Sequence, residues 1–335
     1  MQSSFVKCVE DTGHWAPWLF LAIFLAASFL MIWRLEAMAA DGLDGTALGT
    51  IVMPYLTGLG NLILIFILAR QGRSTDALTS CLVNNVTDLT LVLGAPALIW
   101  GLDLSPRPTA SKRGKSKKNN SAHIVNRLSL LLTLTAVLFF TGTTWALGAG
   151  GRIDFMGGLV LVGMFAFWQC FHVFDVLKTN ARENRSFSWM LPFDLALLAL
   201  GGYVIYVSTD WLVKWVSSIH TTGFISDHHL GWLGGLVNVL PNAVLAFFYA
   251  WARRPEVVYT SQVGDSHICI PLCVGVYALY RPVQTPAFFN VGIFILFGAA
   301  ILHFLFIAVL GRLPRLVGLV LVLACLYFFW IGLLG

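Results

Sequence analysis

The chain has 335 residues, 58% of them hydrophobic and only 11% charged, with a formal net charge of +5. That balance excludes an ordinary soluble globular protein. Much of the basic surplus lies in one loop, so it bears on membrane topology and not on nucleic acid.

The apolar residues fall into ten runs, at 14–34, 44–70, 75–102, 126–148, 154–178, 188–208, 228–252, 256–280, 286–310 and 313–334. Each has roughly the length that a hydrocarbon core of about 30 Å demands of a helix. The expected fold is an all-α polytopic membrane protein of about ten transmembrane helices, numbered here as segments 1 to 10. Segment 1 lacks a basic leader and is long enough to span, so it is read as a retained helix and not a cleaved signal. Segments 1–3 occupy residues 1–103. Residues 104–125 open the run "SPRPTASKRGKSKKNNSAHIVNR", which carries seven Lys/Arg through Arg127 and no acid. The positive-inside rule places this loop in the cytoplasm and both termini outside, in a bacterial-type inner or plasma membrane. Its Ser, Lys and Asn content predicts a mobile loop able to touch anionic headgroups. Segments 4–6 fill 126–208. Residues 209–227 are too polar to span and read as an interfacial stretch on the outside. Segments 7–10 fill 228–335.

The six cysteines lie mostly in apolar runs without paired metal-ligand spacing, as buried free thiols do. No P-loop, GxSxG, HExxH or Rossmann pattern occurs in a usable context, so no enzyme is expected. Several polar residues outside the main pattern have ordinary explanations. His172 and Asp175 read as a structural pair. Asp227, His228 and His229 read as an exposed cap, and Arg70, Arg73, Arg253 and Arg254 suit the C-terminal ends of helices. Asp194 in segment 6 is an acid with either a capping role or a place on an access path.

An internal repeat relates residue n to n + 181. Leu59, Asn61, Leu64, Phe66, Ala69, Arg73, Ser80, Leu91 and Gly94 have identical partners at Leu240, Asn242, Leu245, Phe247, Ala250, Arg254, Ser261, Leu272 and Gly275. The copies are segments 2–3 and 7–8, five segments apart. An odd separation inserts them with opposite orientation, so the plan is two inverted five-helix repeats. At about 100° per residue, Ser261, Gln262, Asp265, Ser266, Cys269 and Cys273 share one face of segment 8, and His267 falls on the other. Ser80, Cys81, Asn84, Asn85 and Asp88 form the matching stripe on segment 3. Small polar residues also serve packing between membrane helices. Packing explains Ser80 or Ser266 well and Asp88 or Asp265 poorly, because an ionisable group in a bilayer is costly.

With "TGLGN" (57–61) and "NVLPN" (238–242) at one element, and "VNNVTD" (83–88) and "GDSHIC" (264–269) at the next, the pattern resembles the cation/calcium exchanger superfamily. That resemblance implies alternating-access antiport of inorganic cations, sodium- or proton-coupled, with calcium or another divalent as cargo. It implies no cofactor beyond transported calcium or sodium. The family's acidic residue in the first element is Asn61 in one copy and Asn242 in the other, so the carboxylates move to Asp88 and Asp265. The implied ion site is Asp88, Asp265, Asn61, Asn242, Asn84 and Asn85, with Ser80, Ser261, Gln262 and Ser266 around it. His267 joins if the helix breaks at Gly264. Sodium, protons, magnesium, a transition metal drawn by Cys81 and Cys269, and a non-metal substrate stay open, as does a non-transporting binding subunit or intramembrane enzyme on the same fold. The partners expected are the lipid bilayer and cations, with no nucleic acid, and the oligomeric state is open.

Overall fold

A computed structural model describes residues 4–40, 58–104, 113–180, 191–220 and 223–334. Thr57 and most of the first half of segment 2 lie outside the described residues. So do the side chains of the basic run up to Asn126 and those of His172 and Asp175. The described chain is almost entirely helical, as a bilayer requires, since a helix satisfies its own backbone hydrogen bonds. Segment 1 is Ala16–Ala40, segment 2 ends in Leu59–Gln71, and segment 3 runs from Ser74 to Trp100. Segments 4, 5 and 6 are Arg113–Gly148, Phe155–Asn180 and Leu191–Ser217. Segment 7 is Leu230–Trp251, segment 8 runs from Pro255 to Tyr280, and segments 9 and 10 are Phe289–Leu310 and Arg315–Leu334. Eight of these are long and apolar enough to cross a membrane, and segments 2 and 5 supply shorter apolar helices among the described residues.

Two boundaries differ from expectation. Segment 6 continues through Ser217 and absorbs the first half of the stretch assigned to the interface. Its polar residues there pair locally: Asp210 accepts from Lys214 one turn on, and Trp211 Nε1 donates to Glu10 at 2.8 Å. The helix of segment 4 also reaches back to Arg113, so the second half of 104–125 is helical.

The breaks in the helices recur between the two halves. Segment 3 opens into a π turn at Asp88–Val92, and segment 8 does so at Ile268–Cys273, where Ile270 leaves helical geometry (φ −129°, ψ 109°) ahead of Pro271. Residue pairs Leu102–Asp103 and Arg312–Leu313 form one two-residue antiparallel ladder, and Arg152–Ile153 and Val283–Gln284 form the other. Positive φ occurs at Gly151 and Gly311, and again at Gly72 and its counterpart Arg253. Close approach recurs as well. A Cβ on Gly94 would sit 2.9 Å from the Gly318 carbonyl, and one on Gly158 would sit 2.9 Å from the Gly275 carbonyl. Small residues at these crossings let backbones meet where no hydrophobic effect drives helices together.

Segments 3 and 8 form the interior, each 78% buried over its apolar window, whereas segments 1, 6, 9 and 10 keep most of theirs facing outward. Segments 1 and 6 pack along each other. An ion pair between Arg34 and the buried Asp194 ties one end, and the Phe20–Trp211 stack with centroids 4.3 Å apart ties the other.

Candidate cation site

Asp88 and Asp265 meet at the centre of this core, both essentially without exposure. Asp88 is the first residue of the π turn in segment 3, and Asp265 lies one turn before the break in segment 8. Their carboxyl groups are near enough to interact directly. Asp265 Oδ2 accepts from Asn242 Nδ2 at 3.1 Å and from Asn61 Nδ2 at 3.4 Å, so both asparagines of the repeat converge on one carboxylate. Among the described residues, Asp265 Oδ1 and both oxygens of Asp88 have no hydrogen-bond partner apart from each other. Two carboxyl groups therefore face each other with no other donor between them, and a proton or a cation relieves that arrangement.

The surrounding amides are half satisfied. Asn85 Nδ2 donates to the Ser266 carbonyl at 3.1 Å, which leaves its Oδ1 unpaired. Gln262 Nε2 donates to the Asn242 carbonyl at 3.3 Å, and its Oε1 is unpaired. Asn84 Oδ1 accepts from the Cys269 thiol at 3.1 Å. Buried polar atoms normally find partners. Five unpaired buried oxygens here, on Asp88, Asp265, Asn85 and Gln262, are a concentration of acceptors of the kind that a hard cation uses. Among the described residues, no three His, Cys, Asp or Glu side chains gather as a metal-binding group. A cation would thus rest on two carboxylates and neutral oxygens.

The other sequence-derived residues sort by position. Ser266 lies in the core, its hydroxyl donating to the Gln262 carbonyl at 3.2 Å, and Ser80 is buried where segment 3 meets Gly235 of segment 7. Ser261 is exposed, though its hydroxyl accepts from Gln262 at 3.1 Å. His267 turns to segment 4: its Nε2 is 3.2 Å from the Thr133 carbonyl, and its ring sits between Phe140 and Trp168. Asn238 opens "NVLPN" but was not among the expected site residues. Its Nδ2 is buried without a partner among the described residues, and it lines a narrow cavity of about 30 Å3 with Asn61, Asn242, Phe24, Ser28 and Ile205, between segments 1, 2, 6 and 7. That is room for one or two waters or a bare ion. His303 of segment 9 was not among the expected residues either. Its Nε2 donates to the Leu89 carbonyl inside the π turn at 2.8 Å, and the Tyr259 hydroxyl lies 3.4 Å from Nδ1. A lone histidine in an apolar run was the one signal for it.

The sequence model of the sodium/calcium exchanger protein family matches residues 15–174 and 193–334. Mouse sodium/potassium/calcium exchanger 4 is 27% identical over 158 residues, which are 46% of this chain and 23% of that protein. The chain therefore matches less than a quarter of that relative's length. The sodium-calcium exchanger NCX_Mj soaked with 2.5 mM Na+ and 1 mM Sr2+ is similar in fold, with a TM-score of 0.63 at 19% identity, covering 93% of this chain and 95% of that one. The same exchanger soaked with zero Na+ and Ca2+ gives a TM-score of 0.59 at 17% identity over 94% and 96%. The chain belongs to the sodium/calcium exchanger family and is an integral, multi-pass membrane protein, as its motifs led one to expect.

Proposed function

We propose, from the premise of that membership, that this protein is a secondary active cation antiporter in which Asp88 and Asp265 hold the exchanged ion. The facing carboxylates, with no other donor between them, carry the reading. Their formal charge of −2 when both are ionised is neutralised by one divalent cation, or by protons or monovalent ions taken in its place. Occupancy by both sets at once costs like-charge repulsion in a poorly screened site, which gives exchange in place of cotransport its physical basis. Calcium or another divalent is the cargo, and sodium or protons are the counter-ion.

Asn61 and Asn242 turn donors toward Asp265. A rotated amide presents oxygen instead, so the same two residues serve the empty and the loaded site. Segments 1 and 6, tied together at both ends, slide as one body against the core and open the cavity at Asn61, Asn238 and Asn242 first to one side and then to the other. The cytoplasmic side is the one that carries the basic stretch 104–125, and both termini lie outside.

The test is flux. Purified protein in proteoliposomes is assayed for exchange of calcium, magnesium, manganese, sodium and protons across imposed gradients. The expected result is counter-transport of a divalent cation that Asp88→Asn and Asp265→Asn each reduce at least tenfold. No flux of any of these ions, with both variants behaving as the parent does, returns the protein to a binding or non-transporting role.

A further inference from the structure

His303 is the one ionisable residue of the segment 9 helix, which is otherwise almost wholly apolar from Phe289 to Leu310, and it is fully buried. A polar group carried into such a helix costs free energy unless it finds a partner. His303 finds two, and they lie on the two helices that hold the aspartates. Nε2 is 2.8 Å from the Leu89 carbonyl of segment 3, and Nδ1 is 3.4 Å from the Tyr259 hydroxyl of segment 8. A carbonyl only accepts, so Nε2 carries the hydrogen, and in the neutral ring Nδ1 then accepts from Tyr259. Tyr259 is fully buried as well, with its ring edge-on to the imidazole at 5.6 Å.

The Leu89 carbonyl stands apart within its helix. In a regular helix the Leu93 amide would donate to it. Here that amide donates to the Asp88 and Thr90 carbonyls on either side, and passes Leu89 over. Segment 8 repeats the omission at the equivalent residue: the Val274 amide donates to the Cys269 and Pro271 carbonyls and passes over Ile270. The causes differ between the copies. Pro271 has no N–H and breaks the winding of segment 8 from within its own sequence. Its counterpart in segment 3 is Thr90, whose hydroxyl turns to the Val86 carbonyl and offers nothing to Leu89. The break in segment 3 is held from outside, by His303.

That break decides where Asp88 points. Closing it to a regular helix removes one residue from the winding, about 100° of rotation between its two sides. The C-terminal side is fixed by close packing, since a Cβ on Gly94 would sit 2.9 Å from the Gly318 carbonyl of segment 10. The rotation falls on Asp88, the first residue of the turn, and swings it away from Asp265.

We infer that His303 is a positioning residue for the cation site: by holding the Leu89 carbonyl it keeps the π turn open and Asp88 aimed at Asp265, and through Tyr259 it ties segment 3 to segment 8. The inference rests on the reading of Asp88 as a cation ligand. His303→Asn and His303→Gln form the test pair. Glutamine carries its amide nitrogen about as far out as Nε2 and reaches Leu89, whereas asparagine stops near the position of Nδ1 and does not.

Two measurements are made on the full chain in detergent: equilibrium dialysis of radioactive calcium and manganese, and hydrogen–deuterium exchange by mass spectrometry over residues 86–95. His303→Asn is expected to weaken cation binding about tenfold, the scale on which groups behind a metal's ligands act. It also raises deuterium uptake over that stretch, while segment 10 exchanges as in the parent. His303→Gln restores both. If His303→Asn does not fold, Tyr259→Phe decides in its place, with about a threefold loss of affinity, the scale of one weak hydrogen bond, and the same rise in uptake. Affinity and uptake that stay parental in His303→Asn, or that are lost equally in His303→Gln, overturn the inference. A parent that binds neither cation fails the antiporter reading and not the hold on the turn, which uptake alone then supports or overturns.

Discussion

Replacing Asp88 with asparagine separates the cost of the ion site from its benefit. Both Asp88 oxygens are buried and, among the described residues, meet only the carboxyl group of Asp265. An unsatisfied buried polar group costs about 1–3 kcal/mol, and more when charged. Asparagine keeps the size, removes the charge and brings a donor toward Asp265 Oδ1, which has none from the surrounding amides. Asp88→Asn is therefore expected to stabilise the ion-free protein by about 2 kcal/mol. At about 2–4 °C per kcal/mol, the scale for chains of a few hundred residues, that is a rise of about 4–8 °C in the apparent melting point. Saturating cation reverses the order. At one hundred times Kd a ligand contributes about 2.7 kcal/mol to the parent, and the variant that has lost the site gains almost none. Scanning fluorimetry of purified protein in detergent, with chelator and then with calcium or manganese, reads both halves. A variant that melts below the parent in chelator would mean that Asp88 is already satisfied in the empty protein. A variant stabilised by cation as strongly as the parent would remove Asp88 from the site. Either result refutes the reasoning.

The packing carries further consequences. Removing Arg34 strands the buried carboxylate of Asp194, a loss on the scale of about 3–5 kcal/mol, and most of it returns in Arg34→Gln combined with Asp194→Asn. Melting curves at all four corners of that double-mutant cycle check it, and Arg34→Gln alone melting with the parent contradicts it. Gly94→Ala places a methyl 2.9 Å from the Gly318 carbonyl and forces segments 3 and 10 apart, at about 1–3 kcal/mol. Gly163→Ala, with open space around it, is neutral or mildly stabilising in the same melting assay.

The repeat makes most of the architecture readable in the sequence. A polar match such as Asn61 with Asn242 at a fixed interval has little cause in an apolar helix unless both positions share a structural task, and both amides do reach Asp265. The stripes on segments 3 and 8 were legible because residues up to Asp88 and His267 keep regular helical angles. Beyond them the angles lapse, since each π turn inserts a residue into the winding and re-aims the side chains after it. Pro271 hinted at the second break, but nothing in "DLTLV" announced the first. There the Leu89 carbonyl finds its partner in His303, more than two hundred residues away, a contact that only tertiary packing reveals. Segment 6 was cut short for a related reason. Thr209 and Asp210 read as an exit from the bilayer, yet Thr209 is buried and the helix runs on. The absence of glutamate from both first elements was visible in the sequence. What takes its place, two asparagines donating to one aspartate, needed the geometry.

The measurement that bears most directly on the ion pair is counterflow in proteoliposomes loaded with unlabelled calcium and diluted into radioactive calcium. The parent should accumulate label transiently, Asp265→Asn should abolish the overshoot, and Asn61→Ala with Asn242→Ala should shift its half-saturating concentration upward. Overshoot that persists at parental rate and affinity in Asp265→Asn, with protein folded and inserted, would contradict the assignment of Asp88 and Asp265 as the groups that carry the exchanged cation.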